Sequence, residues 1–457
     1  MDLWREYHHC MRLVAVIGLL WLPLLAQDFG PVEQSAREEL VKLRVPGASI
    51  AIVKGDRVVF AKGFGTANVE TGEAVRPEML FRLGSTTKMF TAAALVGLSL
   101  EGKIDLNAPI GKHLSWLPPK LSQVTASQLL SHTAGIHDEA PMYGSHDDAA
   151  LGNGIRAWTD GWLFTAPGKV FSYSNPGYWM AGYLVEVLSG KPYADAMDER
   201  VFRACSMTRT TLRPTTAMTW PLSQGHEAAG GNSRVARPAA DNAASWPAGS
   251  IFSNTQDLAR FVIAFLNGGM LDGKRVLDPR AFALMSSPHA RYPDAPISYG
   301  YGLAIEELRG VHVVQHGGAR MGYGSLIRMA PEQRVGIIVL TNRTGANLPA
   351  TADKATELML PLAARSEAAP KTALPISGPD AARTAGVYRN GDQRIEIVAR
   401  DNRLFLKQGR GAETTLAKHS DARYAVEGGA ELVMVAGTDG KTEFVHSGSR
   451  SFARVRE

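Results

Sequence analysis

Cysteine is nearly absent from this chain: Cys10 and Cys205 are the only two among 457 residues. Two cysteines cannot form a disulfide framework. Cys10 falls in an N-terminal segment expected to be removed, so Cys205 is expected to stay unpaired. The chain has no Cys-x-x-Cys, no His-Glu-x-x-His, no Walker loop and no Gly-x-Gly-x-x-Gly leading into a suitable helix, so neither a metal nor a cofactor is expected. It also lacks Gly-x-Ser-x-Gly, which argues against a standard α/β-hydrolase. The formal charge is +5 and the pI about 9.1, but there is no basic run or aromatic-interleaved basic patch, so nucleic acid is not an expected partner. Long apolar runs are scarce too. Leu13 to Ala26, preceded by Arg5 and Arg12, is too short to span a bilayer comfortably and ends in a small residue. It reads as a secretory signal over 1–26 with cleavage near Ala26, which predicts a secreted or periplasmic protein without a stable membrane span; an uncleaved anchor is the alternative.

The chain does contain a single Ser-x-x-Lys, Ser85-Thr86-Thr87-Lys88. Gly84 precedes it, and Met89 to Val96 carries apolar residues at helical spacing, so Ser85 and Lys88 are predicted to share a face where a helix begins. There the serine N–H can face a developing oxyanion, and an amine one turn along can act on the hydroxyl proton. The tetrapeptide also reads as a Ser N-cap followed by a surface lysine. Two further triplets lie downstream. Tyr173-Ser174-Asn175 follows a turn at Ala166 to Lys169 and precedes Pro176, where a helix to about Ser189 is predicted. The Tyr173 phenol would accept a proton if Lys88 lowers its pKa, and the Asn175 amide offers both donor and acceptor to a substrate. His316-Gly317-Gly318 closes an alternating strand, where glycines let an edge backbone come close to a ligand. Tyr388-Arg389-Asn390 and His446-Ser447-Gly448 match the same short patterns, so only order, spacing and context together are specific.

In that order the residues resemble the serine hydrolases related to penicillin-binding proteins and class C β-lactamases, whose motifs are Ser-x-x-Lys, Tyr-x-Asn and Lys-Thr-Gly or His-x-Gly. Val124 to Ile136, Pro167-Gly168, Pro247 to Ser250, Asp257 to Phe261 and Tyr299 to Leu303 are further stretches similar to this group. The resemblance covers about residues 33–365. It implies acyl transfer, with Ser85 as nucleophile and Lys88 and Tyr173 sharing the base work. It also implies an oxyanion held between the N–H groups of Ser85 and Ala319, Asn175 orienting the substrate, and His316 bonding the Tyr173 region or the substrate. His316 stands where class C enzymes carry lysine, so the cation that would meet a β-lactam carboxylate is missing unless Arg320 replaces it. That places the chain nearer the His-x-Gly esterases and D-amino-acid peptidases. A small ester or a peptide with D-residues is the expected substrate, a β-lactam is the alternative, and a penicillin-recognition module that acylates without turnover is the alternative of another class. The oligomeric state is left open.

With 45% hydrophobic and 20% charged residues, the chain can bury a large core in more than one domain. The predicted fold class is α+β. Strands near 48–53, 58–64, 300–306, 311–315, 323–329 and 335–341 form an antiparallel sheet flanked by helices near 32–42 and 348–364, with a mainly helical insertion from about 104 to 290. Residues 33–365 would be the hydrolase domain, 367–379 a linker, and 380–457 a small all-β, barrel-like domain with a packing role. His132 and His137 read as hydrogen-bonded core or loop histidines, and Tyr299 and Tyr301 as strand packing.

Overall fold

Ile50 and Ile52 alternate with Ala51 and Val53 along β1 (Gly47–Lys54), and all four are buried. Successive side chains leave a strand on opposite faces, so β1 must be covered on both sides. The computed structural model, which describes residues 27–365, 372–409, 411–427, 429 and 431–455, shows how. The predicted signal segment 1–26, residue 366 and residues 367–371 of the predicted linker lie outside the described residues.

β1 turns at Gly55-Asp56 into β2 (Arg57–Asn68), which pairs with β3 (Glu73–Ala74). The remaining sheet strands come from far downstream: β4 (Ala290–Arg291), β5 (Ser298–Tyr299), β6 (Ala304–Leu308), β7 (Val311–Arg320), β8 (Tyr323–Ala330) and β9 (Val335–Thr341). The order is β4-β5-β6-β7-β8-β9-β1-β2-β3, antiparallel throughout, and β1 against β9 joins the two ends of the domain. Ile50 and Ile52, with Val313, Ile337 and Val339, pack on α1 (Gly30–Leu43) and a late helix, Pro349–Met359. Ala51, Val53, Ile327 and Ile338 join the larger core on the other face, built around α2 (Thr87–Leu100), α3 (Asn175–Ser189) and α4 (Thr255–Leu266). Every residue of α2 from Thr87 to Val96 is buried, as expected for a helix apolar on nearly all sides.

Two differences from the sequence reading have local causes. The Gly/Ala/Asn-rich stretch from Ser223 to Ser250 is not all loop: His226–Ala229 pairs with Asn232–Val235 around Gly230-Gly231, and Trp246–Gly249 is a short helix. A helix over Gly378–Thr384 begins inside the expected linker, because Ser377 and Asp380 cap each other reciprocally and Ala381 packs on the core that follows.

That core belongs to a closed antiparallel barrel: β10 (Gly386–Asn390), β11 (Gln393–Arg400), β12 (Arg403–Gln408), β13 (Thr414–Lys418), β14 (Arg423–Val426), β15 (Glu431–Ala436), β16 (Thr442–Ser447) and β17 (Arg450–Arg454). Pairing of β10 with β17 closes it. Tyr388, Leu404, Tyr424, Leu432 and Val445 fill the interior, the usual fate of an eight-stranded lumen.

Candidate active site

Ser85 sits in a single 3₁₀ turn, Gly84–Thr86, immediately before α2. Gly84 takes φ +57°, and a Cβ there would come within 2.7 Å of the Ala319 backbone N and O. The turn therefore lies directly against β7. The strand permits this because β6 pairs with β7 only as far as Gln315, whereas β8 follows it to Arg320. Residues 316–320 thus keep one unpaired edge, and the strand continues through the His-Gly-Gly triplet instead of ending at it. The two glycines differ. A Cβ on Gly318 would fall 1.9 Å from the Leu83 carbonyl, while one on Gly317 would meet nothing nearer than 3.7 Å. Gly318 admits the protein's own serine turn, and Gly317 has room for a methyl group in ordinary contact with Asn347.

Lys88 is completely buried. Its Nζ lies 3.3 Å from Ser85 Oγ, 2.7 Å from Asn175 Oδ1 and 2.7 Å from the Ala248 carbonyl. Burial pushes its pKa down to about 7; the Asp138 carboxylate opposes this and the Arg450 guanidinium reinforces it. A neutral amine has two N–H groups and one lone pair. The two carbonyl oxygens accept the two N–H groups, which leaves the lone pair for the Ser85 hydroxyl.

Tyr173 precedes α3, whose N-cap Ser174 accepts from Gly177 N–H at 3.1 Å and which ends at Gly190 in the left-handed region. Burial raises the pKa of the Tyr173 phenol, and the nearby Ser85 side chain offsets this only in part. The expectation that Lys88 would lower the phenol pKa is therefore corrected: the tyrosine stays protonated and the lysine is the group that titrates near neutrality. Asn175 has protein partners beyond its expected role. Its Oδ1 accepts from Lys88 and its Nδ2 donates to Asp138 Oδ1 at 3.0 Å, so it cradles the lysine and keeps one amide hydrogen for a substrate.

His316 is buried and bonds neither Tyr173 nor open space. Its Nδ1–H donates to the Gly317 carbonyl, at 2.6 Å, and its Nε2 accepts from the Tyr299 hydroxyl at 2.9 Å. Burial, with Lys88 adding to it, lowers its pKa to about 3, so the ring is neutral at physiological pH. Ala319 is exposed at the unpaired edge. Arg320 turns away from the site: its guanidinium donates to the carbonyls of Gly249 at 3.2 Å and Ala240 at 3.1 Å, next to the buried Arg82–Asp241 pair. Both of its terminal nitrogens are committed to backbone there, so it does not stand as a free replacement for the missing lysine.

Four site residues escaped the sequence reading. His132, at φ +59°, accepts from Ser174 N–H through Nδ1 at 3.1 Å and places its ring 4.1 Å from that of Tyr173. Tyr299 holds His316. Asp138 accepts from Asn175 N–H at 2.8 Å as well as from its amide. Arg450, from the barrel, donates through Nε to Asp138 Oδ2 at 2.7 Å, and its Nη2 contacts the same oxygen. The position of Asp138 just after the Val124–Ile136 stretch is the one signal that could have pointed to it.

The described residues that precede the barrel match the Beta-lactamase family over residues 32–359. Penicillin-binding protein 4 of Amycolatopsis lactamdurans is 30% identical over 65% of this chain and 81% of its own length. Protein flp of Staphylococcus aureus strain MW2 is 26% identical over 70% of this chain, which spans 64% of the staphylococcal protein. Among solved structures, SurE shares the fold with TM-score 0.76 at 24% identity, covering 93% of this chain and 98% of its own. The octameric penicillin-binding protein homologue from Pyrococcus abyssi gives 0.65 at 24% identity over 93% and 100%. With a match over most of its length, the chain belongs to the Beta-lactamase family, in the serine-hydrolase superfamily that includes the penicillin-binding proteins.

Proposed function

We propose that this protein hydrolyses ester or amide bonds of small esters or of peptides with D-residues through an acyl-enzyme on Ser85. The observation that carries the reading is the environment of Lys88: a buried amine with its pKa near neutrality, held by Asn175 and Ala248 with Nζ 3.3 Å from Ser85 Oγ, where the neutral form can take the serine proton. In this reading Ser85 Oγ bonds to the substrate carbonyl carbon as its proton passes to Lys88 Nζ, and the oxyanion rests between the N–H groups of Ser85 and Ala319. The close contact of Gly84 with Ala319 supports that pairing. The protonated Tyr173 relays a proton to the leaving group, and water then releases the acid and restores the serine. Asn175 and the Gly317–Gly318 edge orient the substrate, and His316 and Arg320 shape the strand around it.

The substrate class rests on charge. At the third motif His316 is neutral and both terminal nitrogens of Arg320 donate to backbone, so neither residue offers a free cation to a β-lactam carboxylate. Fold neighbours described as D-amino acid amidase from Ochrobactrum anthropi and D-alanine carboxypeptidase AmpC from Burkholderia cenocepacia are in keeping with this class. The test is intact-mass measurement after a fluorophosphonate probe, then turnover on p-nitrophenyl esters, D-amino-acid amides and a chromogenic cephalosporin. Turnover confined to the cephalosporin would make it a β-lactamase, and acylation without turnover would make it a recognition module. The proposal includes export: the mature chain should begin near Gln27, and residues 1–26 intact on an exported form would reject cleavage.

A further inference from the structure

The barrel meets the body at the segment that carries Tyr173. Ser451 N–H and Asn390 Nδ2 donate to Ser172 Oγ at 3.1 and 3.2 Å, Ser451 Oγ donates to the Phe171 carbonyl at 2.8 Å, and Tyr173 N–H donates to the Ser449 carbonyl at 2.8 Å. These groups lie on or beside the β16–β17 hairpin, whose two-residue turn, Gly448-Ser449, has glycine at φ +61°. The next residue is Arg450. From it a continuous chain of polar contacts runs inward: Arg450 to Asp138 Oδ2, Asp138 Oδ1 to Asn175 Nδ2, Asn175 Oδ1 to Lys88 Nζ. The Asp138 side chain is 4% exposed.

We infer that Arg450 is a positioning residue of the hydrolytic site: delivered by the barrel hairpin, it fixes Asp138, and through it Asn175, against Lys88, and cancels the carboxylate charge there. The inference rests on the proposed role of Lys88 as base. A buried carboxylate without a cation partner is costly, and the Asp138 charge also acts on Lys88. Without Arg450, Asp138 would hold Lys88 as an ammonium, which has no lone pair for Ser85. The other titratable groups facing Lys88 do not take over this function. Tyr173 and Tyr178 present ring faces to Nζ at 4.8 and 5.4 Å and are raised by burial, while His132 and His316 are held neutral. The barrel thus does more than pack: its charge sets the protonation of a residue on another domain.

Full-length Arg450→Ala, Arg450→Lys and the double variant Asp138→Asn/Arg450→Ala test this with two independent readouts. One is the Lys88 titration midpoint by NMR of ¹³C-labelled lysine, assigned by its loss in Lys88→Ala. The other is the pH dependence of Ser85 labelling by a fluorophosphonate. In Arg450→Ala the midpoint should rise by about one pH unit or more, labelling at pH 7 should fall about fivefold for the first unit and about tenfold for each further one, and the rate should recover at alkaline pH. Arg450→Lys should lie between. The double variant should return the midpoint toward wild type, even if the barrel docks less firmly in both Ala variants. An unchanged midpoint in Arg450→Ala overturns the inference, as does a loss confined to KM for carboxylate-bearing substrates, which would make Arg450 a substrate contact. A midpoint that moves while labelling keeps its original pH dependence leaves Arg450 in its positioning role and rejects Lys88 as the base.

Discussion

Lys88 Nζ lies 4.8 Å from the centroid of the Tyr173 ring, over its face, and 3.3 Å from Ser85 Oγ. Proximity alone would let either one serve as base. Burial separates them, because it disfavours the charged form of each: the lysine comes down to about 7, and the phenol goes up. With Lys88 as the proposed base, the rate follows its neutral fraction, so kcat/KM should rise with pH on an acidic limb centred near 7. Lys88→Ala should abolish that limb and cost about two to four orders of magnitude. Tyr173→Phe should lower the rate on a similar scale but leave the limb in place. A profile that loses its limb in Tyr173→Phe and keeps it in Lys88→Ala would reverse the assignment.

Ser85→Ala should eliminate fluorophosphonate labelling and leave the melting temperature within a few degrees of wild type. The hydroxyl lost is small and half-buried, and the turn is set by Gly84 and Thr86. Intact-mass measurement decides this, and adduct on a different serine would refute it.

The Gly317-Gly318 pair offers a contrast within one motif. Gly318→Ala would drive a methyl group into the Leu83 carbonyl and push the serine turn away from β7. A cost of about 1–3 kcal/mol in stability is expected, together with about a hundredfold in kcat from the displaced serine. Gly317→Ala has room and should leave the melting temperature unchanged. Equal loss of stability in the two variants would mean that the turn and strand are not in the contact described.

His316→Lys tests the charge argument. The substitution breaks the bond to Tyr299 and adds a cation next to Lys88, so turnover of neutral esters should fall. The ratio of cephalosporin to neutral-ester kcat/KM should nevertheless rise, by about fivefold if the new ammonium is partly solvated, and this gain should shrink in high salt. A ratio unaffected by the substitution would mean that His316 serves only to hold the strand.

The strands of the sheet, the helix after Ser85 and the barrel were legible because each follows from a period in the sequence: alternation along β1 and β9, and a helical apolar repeat through α2. Ser85, Lys88, Tyr173 and Asn175 were found by spacing, and the fold brings them together. What was not legible depends on contacts between distant segments. Nothing near Arg320 in sequence indicates that the carbonyls of Ala240 and Gly249 will take its guanidinium, and nothing near Asp138 announces a partner at position 450. The two decoy triplets make the same point. Tyr388-Arg389-Asn390 and His446-Ser447-Gly448 are not second copies of the site, yet Asn390 bonds Ser172 and Asp138, and His446 bonds Ser451, so both fall in the seam where the barrel docks.

The β16–β17 hairpin also bears on when the enzyme comes alive. Ser85, Lys88 and Tyr173 are translated long before Arg450 and Ser449, and a barrel closed by its first and last strands cannot assemble until β17 has been made. A nascent chain with a finished hydrolase body would still lack the backbone acceptor for Tyr173 N–H and the counter-ion for Asp138. Competence would therefore arrive only with completion of the barrel, so that an unfinished chain carries its nucleophile unarmed.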